Sequence, residues 1–174
     1  MAVLQKFVRK VKSLLGGSAG GVIQKAPRII PASVHGIRPE LVAWQAIRTC
    51  EALQRRGFKA YVVGGAVRDM LLGVKPKDFD VATDATPEEV KACQKRAIII
   101  GRRFRLVHVI FGREVIECAT FRSLDTEGVR KDAAGRVISD NIFGEMWEDA
   151  ARRDFTINAL YYDPSTQEVL DYHN

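Results

Sequence analysis

The feature that constrains the fold most is a strand–turn–helix–strand pattern between Phe58 and Thr83. FKAYVVGG predicts a strand that ends in Gly64 and Gly65, and GAVRDMLLG predicts a short helix closed by Gly73. FDVAT predicts a second short strand directly afterwards. Alternating strands and helices of this kind favour an α+β (α/β mixed) fold, in which helices flank a small mixed sheet.

Further elements are predicted on both sides of this unit. PELVAWQAIRTCEALQRRG has the periodicity of a helix, and Thr86, Pro87 and Glu89 have the spacing of a helix start. IIIG, FRLVHVIFG and REVIECATF predict three strands with tight connections. A last helix is predicted over roughly 145–162, and EVLDYH predicts the start of a strand.

The excess positive charge is confined to the N-terminal segment. Residues 1–39 contain seven Lys or Arg and no acid, whereas residues 40–174 contain 20 basic and 21 acidic residues. Residues 2–15 have the pattern of a basic amphipathic helix. We predict a flexible basic arm and linker over 1–37 and a globular domain over 38–174. Such an arm suits RNA binding or a membrane surface, and the alternative is a solubilising tail.

The cysteines indicate a reducing compartment. Cys50, Cys93 and Cys118 are odd in number, far apart and outside any C-x-x-C pattern. No apolar run approaches the roughly 20 residues of a membrane-spanning helix. We therefore expect a cytoplasmic protein, with organellar targeting by the basic N-terminus as the alternative.

Asp78 and Asp80, in KDFDV, are candidate metal ligands. Strand alternation would place both carboxylates on one face, with Phe79 in the core. Two like charges repel unless a cation lies between them, and Mg²⁺ prefers such oxygen ligands together with substrate phosphates. The alternative is a solvated turn in which Lys75 and Lys77 form surface ion pairs.

The glycine pair is a candidate phosphate site. Gly64 and Gly65 would stand at a helix N-terminus, where free N–H groups and the helix dipole favour an anion. Arg68 follows one turn later and can contact a phosphate; the alternative is a tight turn with a surface arginine. Neither G-x-G-x-x-G nor a Walker A loop is present. A phosphate site followed by a metal-binding D-x-D is the layout that nucleotidyl transfer requires.

Two motifs together resemble a known family. GGAVRDMLLG…KDFDVAT and RRDFTINALYYD are similar to class II of the polymerase-β nucleotidyltransferase superfamily, the tRNA CCA-adding enzymes and bacterial poly(A) polymerases. RIIPASVHGI, IIIGRRFRLVHVIFG and SDNIFGEMWEDAARRDFTINALYYD are similar to the poly(A) polymerase branch. The resemblance covers roughly residues 29–174.

The resemblance implies a polymerase-β-like catalytic head of a bacterial-type cytoplasmic enzyme, with neck, body and tail domains expected after residue 174. It implies template-independent addition of AMP from ATP to RNA 3′ ends (mRNA or tRNA), with two Mg²⁺ ions, or Mn²⁺, held by Asp78 and Asp80. One alternative is a tRNA CCA-adding or A-adding enzyme, whose base-selecting residues are expected in the neck. A second is a truncated RNA-binding fragment without catalysis, and residues 1–174 alone are expected to have little processive activity. No obligate protein partner is implied.

Two residues compete as the third carboxylate of the family. The resemblance favours Asp154, in RRDFTIN, as a catalytic residue. Glu117 is the rival on geometric grounds, since it is a charged residue in an otherwise apolar strand. His108 alternates with valines in a strand and is predicted to be structural.

Arg152, Arg153 and Asn158 are predicted to bind the nucleotide, with Asp154 and Asn158 on one helical face. The alternative for the arginines is helix ion pairing, because Glu148–Arg152 and Asp149–Arg153 have the i,i+4 spacing.

Overall fold

The computed structural model describes residues 26–101, 104–124, 130–131, 137–139 and 143–174, so most of the predicted basic arm lies outside the described residues. The strands are β1 (Arg28–Ile30), β2 (Ala60–Val63), β3 (Asp80–Thr83), β4 (Ala97–Ile100), β5 (Leu106–Phe111), β6 (Glu114–Thr120), β7 (Arg130–Lys131), β8 (Val137–Ser139), β9 (Leu160–Asp163) and β10 (Glu168–Asp171). The α-helices are α1 (Ala32–His35), α2 (Trp44–Gln54), α3 (Gly65–Leu71), α4 (Pro87–Cys93) and α5 (Met146–Ala151), and Pro39–Leu41 and Thr156–Asn158 are 3₁₀ turns. In the described part of the chain, no helix is long and apolar enough to cross a membrane.

One mixed sheet of eight strands organises the molecule. Its order is β1-β10-β9-β2-β3-β6-β5-β4, and β7 and β8 form a separate two-stranded sheet. Neighbours in the large sheet are antiparallel except for β3 and β6, which are parallel. The mixed sheet and its flanking helices confirm the predicted fold class.

The sheet separates two apolar layers. Val62 and Val81 face one layer, which also contains Cys50 and Leu53 of α2 and Val90 of α4. The other layer contains Val63, Ala82, Phe121, Met146, Ala150 and Tyr161. Since alternate residues of a strand share a face, Asp80 lies on the same side as Ala82, away from α2 and α4.

The predicted start of α4 is confirmed. The Thr86 hydroxyl accepts a hydrogen bond from the Glu89 backbone N–H, and the Glu89 carboxylate accepts one from the Thr86 N–H at 2.7 Å. This reciprocal capping box satisfies N–H groups that a helix start leaves without partners. It fixes the path of the chain immediately after β3.

The last predicted helix is much shorter than expected. α5 ends at Ala151, and residues 160–163 form β9, which lies between β10 and β2 in the sheet. Leu160, Tyr161 and Tyr162 are all buried. The sequence of a strand that is buried on both faces is an unbroken run of apolar residues. Periodicity alone does not distinguish such a run from a buried helix.

The folded region begins before the predicted boundary at 37/38. β1 pairs with β10, with Ile30 opposite Val169, and Ile30 and Ile37 are buried. His35 is buried as well, and its Nδ1 accepts a hydrogen bond from the Ile37 N–H at 2.9 Å. A three-residue edge strand is too short to have a periodicity, and its partner is distant in sequence, so the linker prediction was wrong for residues 28–37.

Ile30→Ala is expected to lower the free energy of unfolding by about 2–5 kcal/mol, because it empties a buried position in the core. Ile29→Ala is the matched control, since the Ile29 side chain is 58% exposed, and its cost is expected to stay within about 0.5 kcal/mol. Urea denaturation of both variants measures the difference. Equal losses would show that β1 is not part of the cooperative fold.

Candidate active site

The register of four strands aligns the candidate site residues. Val63, the last residue of β2, lies opposite Asp80, the first residue of β3. The parallel pairing of β3 with β6 puts Glu117 opposite Asp80, and β5 puts His108 opposite Glu117. The site therefore follows one row across the sheet, next to the turn that begins at Gly64.

Asp78 and Asp80 are not equivalent. β3 begins at Asp80, so Asp78 precedes the strand and strand alternation does not fix its direction. Both aspartates are exposed, and Phe79 between them is buried, as predicted. The buried phenylalanine anchors the segment and leaves the two carboxylates at its surface.

The electrostatics of Asp80 favour a cation. Although Asp80 as a residue is exposed, its carboxyl group is partly desolvated by its neighbours; this raises the pKa of Asp80, and the nearby Glu117 carboxylate raises it further. Arg153 acts in the opposite direction, and Asp78 adds a smaller repulsion. The Glu117 and Asp78 carboxylates both act unfavourably on that of Asp80, and carboxylate oxygens are the hard donors that Mg²⁺ and Mn²⁺ prefer. Within the described ranges, no group of three or more His, Cys, Asp or Glu side chains is arranged to hold a metal ion by itself; Mg²⁺ is usually bound by one or two carboxylates together with substrate phosphates and water.

Glu117, rather than Asp154, is the carboxylate that the structure places beside Asp80. The charges that act most strongly on Asp80 are those of Glu117, Arg153 and Asp78. Asp154 is exposed and lies after the end of α5, and Asn158 belongs to a separate 3₁₀ turn. The prediction that Asp154 and Asn158 share a helical face was therefore wrong. The imidazole Nε2 of His108 lies 3.4 Å from Glu117 Oε1.

A buried carboxylate holds Arg153 at the site. Asp149 is 1% exposed, and its Oδ2 accepts hydrogen bonds from Arg153 Nη2 at 3.0 Å and from the Tyr161 hydroxyl at 2.8 Å. Its Oδ1 accepts from Arg152 Nε at 2.9 Å. Burial alone would raise the pKa of Asp149, but Arg153 and Arg152 more than offset this and hold it below its ordinary value. Asp149 is thus an ionised anchor for both arginines.

The ion pairs of this segment match the prediction only in part. The Asp149–Arg153 pair at i,i+4 is confirmed, whereas Arg152 pairs with Asp149 at i,i+3 instead of with Glu148. Glu148 accepts a hydrogen bond from the Ser123 hydroxyl at 2.7 Å, so its carboxylate is directed elsewhere.

At Gly64 the backbone lies close to one acidic and one basic side chain. Its φ of +79° is unfavourable for other residues, and a Cβ built there would lie 3.8 Å from Asp80 Oδ2 and 3.9 Å from Arg153 Nη1. The backbone turn, the acid and the cation therefore surround one space, which a side chain at position 64 would partly fill.

Gly65, Arg68 and Asn158 form a second group beside the first. A Cβ on Gly65 would lie 3.3 Å from Arg68 Nη2. Arg68 Nη1 donates to Asn158 Oδ1 at 3.1 Å, and its Nε donates to Asp69. These contacts bring together three residues that the sequence predicts to bind the nucleotide.

The poly(A) polymerase head domain is the family that matches residues 60–174. The chain belongs to this family. Its head-domain segment begins at β2 and contains every candidate site residue named above.

Curated proteins that are similar to this chain include both poly(A) polymerases and CCA-adding enzymes. Poly(A) polymerase I of Haemophilus influenzae is 47% identical over 150 residues, which cover 83% of this chain and 33% of that protein. A CCA-adding enzyme of Staphylococcus aureus is 36% identical over 129 residues, 74% of this chain and 31% of that protein. The chain thus spans about a third of the length of these relatives.

A solved structure supports the same fold. The Bacillus stearothermophilus CCA-adding enzyme in complex with CTP superimposes with a TM-score of 0.55 at 33% identity, covering 72% of this chain and 29% of that chain.

Two features of this poly(A) polymerase head domain were not found from the sequence. Asp149 was interpreted only as an ion-pair partner, and Tyr161 as part of a helix. The sequence signal was limited to the i,i+4 spacing of Asp149 and Arg153. The hydrogen bond to Tyr161 depends on the position of β9 in the sheet, which is a property of the topology.

Asp80→Asn is expected to raise the melting temperature of the metal-free head domain by about 1–4 °C, because desolvation of the Asp80 carboxylate and repulsion by Glu117 and Asp78 together outweigh its attraction to Arg153. Asp84→Asn is the control, since Asp84 is an exposed aspartate directly after β3. Differential scanning calorimetry in EDTA checks this. A lower melting temperature for Asp80→Asn would show that desolvation and repulsion do not outweigh the attraction of Arg153.

Proposed function

We propose that this head domain belongs to a template-independent RNA 3′-end adenylyltransferase, a poly(A) polymerase that adds AMP from ATP. The observation that carries the proposal is the alignment of Asp80 with Glu117 beside the Gly64 turn and Arg153. Acids that can hold metal ions and a cation that can meet a phosphate thus lie around one space. The identity to Haemophilus influenzae poly(A) polymerase I supports adenylate as the product.

Asp80 and Glu117, with Asp78, are the residues that would hold two Mg²⁺ ions, for which Mn²⁺ can substitute. When bound, such ions activate the attacking hydroxyl and neutralise charge at the α-phosphate. The head residues themselves position the substrate. Asp149 fixes the guanidinium of Arg153 at the turn, where it can pair with a phosphate oxygen.

The second group of residues suits the rest of the nucleotide. Arg68 and Asn158 are already hydrogen-bonded to each other beside Gly65, so they form one continuous polar surface. On this surface Arg68 can contact the triphosphate and Asn158 can contact the ribose. Asp154, which is exposed, is assigned here to nucleotide or RNA contact rather than to the metal ions.

The reaction transfers a nucleotidyl group. The 3′ oxygen of the RNA forms a bond to the α-phosphorus of ATP, the bond from this phosphorus to the β-phosphate oxygen breaks, and pyrophosphate leaves. The proton of the 3′ hydroxyl passes to solvent. The RNA 3′ end and the nucleoside triphosphate are thus the proposed partners, and a cytoplasmic location remains the prediction from the sequence.

Offering one nucleotide at a time tests the proposal. With single-stranded RNA and ATP, the full-length protein is expected to add a run of adenylates, and with CTP alone it is expected to add nothing. The alternative, a tRNA CCA-adding enzyme, is favoured by the Staphylococcus aureus relative and the Bacillus stearothermophilus structure. Incorporation of CTP into tRNA that lacks its CCA end, without long adenylate tails, would establish that alternative instead.

A further inference from the structure

A second basic region lies on the other side of the sheet from Asp80. α2, the end of α4 and the turn after β5 enclose a groove of about 470 Å³, which we name the α2–β5 groove. Its polar and aromatic lining includes Trp44, Arg48, Arg55, Lys95, Arg96 and Phe111. The side of the sheet covered by α2 and α4 contains Val62 and Val81, whereas Asp80 lies with Ala82 on the opposite side. The groove is therefore separate from the candidate active site.

The charge of the groove is strongly positive. Four cationic side chains line it, and its lining contains no acid. Arg55 has a partner in Glu51 at 3.7 Å. For Arg48, Lys95 and Arg96, which are exposed, no ion pair with another described residue is found. Three uncompensated cations around one concave surface attract a polyanion.

The aromatic residues of the groove are arranged for stacking. Trp44 is 59% exposed, although tryptophan is a residue that proteins usually bury. Its ring packs edge-to-face against Phe111, with centroids 5.3 Å apart and an interplanar angle of 80°. This contact fixes the indole while most of its surface stays open. Arg48 follows Trp44 by one helical turn, so the two side chains share a face of α2.

An exposed, fixed indole among cations is the combination that binds single-stranded nucleic acid, because bases stack on the ring while phosphates pair with the cations. A membrane surface would instead require a broad apolar patch, and an acidic peptide would use the cations without the indole. We propose that the α2–β5 groove binds single-stranded RNA, with a base on Trp44 and phosphates on Arg48, Lys95 and Arg96. The choice of RNA as the nucleic acid rests on the proposed function.

Fluorescence anisotropy of a labelled 12-residue oligoadenylate, without Mg²⁺ or ATP, tests the groove in the whole chain. Trp44→Ala is expected to weaken binding by at least about fivefold, the lower limit for the loss of one stacked base. Lys95→Glu is expected to weaken it several-fold and to lower the salt slope by about 0.7, the value for one lost phosphate contact on a single strand. Lys91→Glu is the matched control, since Lys91 is exposed on α4 outside the groove lining.

Three comparisons separate the possible results. Circular dichroism confirms that each variant is folded, and Trp44→Phe, which keeps a stacking ring, is expected to restore part of the affinity. An abasic oligomer of the same length is expected to bind wild type and Trp44→Ala equally. The proposal is overturned if Trp44→Ala binds oligoadenylate like wild type, or if Lys91→Glu and Lys95→Glu weaken binding equally; an acidic protein partner would then be the better occupant.

The same experiment distinguishes this site from the proposed reaction. Asp80→Asn is expected to bind oligoadenylate like wild type, although its rate of AMP transfer is expected to fall steeply. If wild type transfers AMP and the groove variants bind normally, the groove proposal alone fails. If the groove variants weaken binding while wild type transfers no AMP, the groove remains an RNA site and the adenylyltransferase proposal fails.

Discussion

Asp80→Asn is expected to lower the rate of AMP transfer to RNA by at least about 1,000-fold, because metal ions contribute several kcal/mol of transition-state stabilisation and each 1.36 kcal/mol is tenfold in rate. The substitution removes the negative charge but preserves the shape of the side chain. Single-turnover extension of a labelled RNA primer at saturating ATP measures the effect on the chemical step directly.

Asp84→Asn is the control for this experiment. Asp84 directly follows the strand that Asp80 begins, and it accepts a hydrogen bond from the Lys59 backbone N–H at 2.8 Å. An asparagine can still accept that bond, so transfer is expected to stay within about twofold of wild type, as for a surface change away from the site. Nearly equal rates for Asp80→Asn and wild type would rule out Asp80 as a ligand of the catalytic metal ions.

Asp149→Ala is expected to lower the free energy of unfolding by about 3–5 kcal/mol, because it leaves a largely buried cation without its partner. Arg153 loses its counter-charge and the Tyr161 hydroxyl loses its acceptor. Asp154→Ala is the matched control, since Asp154 is an exposed aspartate of the same segment. Urea denaturation at pH 7 compares the two, and equal small losses would contradict the anchoring role of Asp149.

The same carboxylate predicts a pH dependence of stability. Because the folded state lowers the pKa of Asp149 below its ordinary value of 3.8, its stabilising contribution is complete above that value. The contribution is lost as pH falls below 3.8 toward the lower pKa of the folded state. Asp149→Asn is therefore expected to be less stable than wild type at pH 7, with a smaller difference at acidic pH. A difference that grows on acidification would contradict this sign.

Local patterns predicted the strands and helices around the candidate site well. The strand before Gly64, the helix closed by Gly73 and the strand that follows depend on turn glycines and alternation over a few residues. The capping box at Thr86 has a fixed spacing of three residues. Such features are encoded within one element, so a single sequence contains the information.

Contacts between distant segments were not predictable in the same way. Glu117 lies opposite Asp80 only because β3 and β6 pair in parallel, and no local pattern specifies that register. The same holds for Ile30, which is buried because β1 reaches β10, and for Tyr161, which meets Asp149 because β9 lies beside β2. Tertiary pairing therefore decided which residues lie next to Asp80 and Asp149.

The most direct test of the Asp80–Glu117 pair is the single-turnover rate of AMP transfer by Glu117→Gln, with saturating ATP, RNA and Mg²⁺. If Glu117 holds metal ions together with Asp80, the rate falls by about 100-fold or more, since the neutral amide is a poorer ligand and leaves the phosphate charge less neutralised. RNA binding by the same variant stays at the wild-type level. A wild-type rate for Glu117→Gln would contradict the pair as the metal-binding centre.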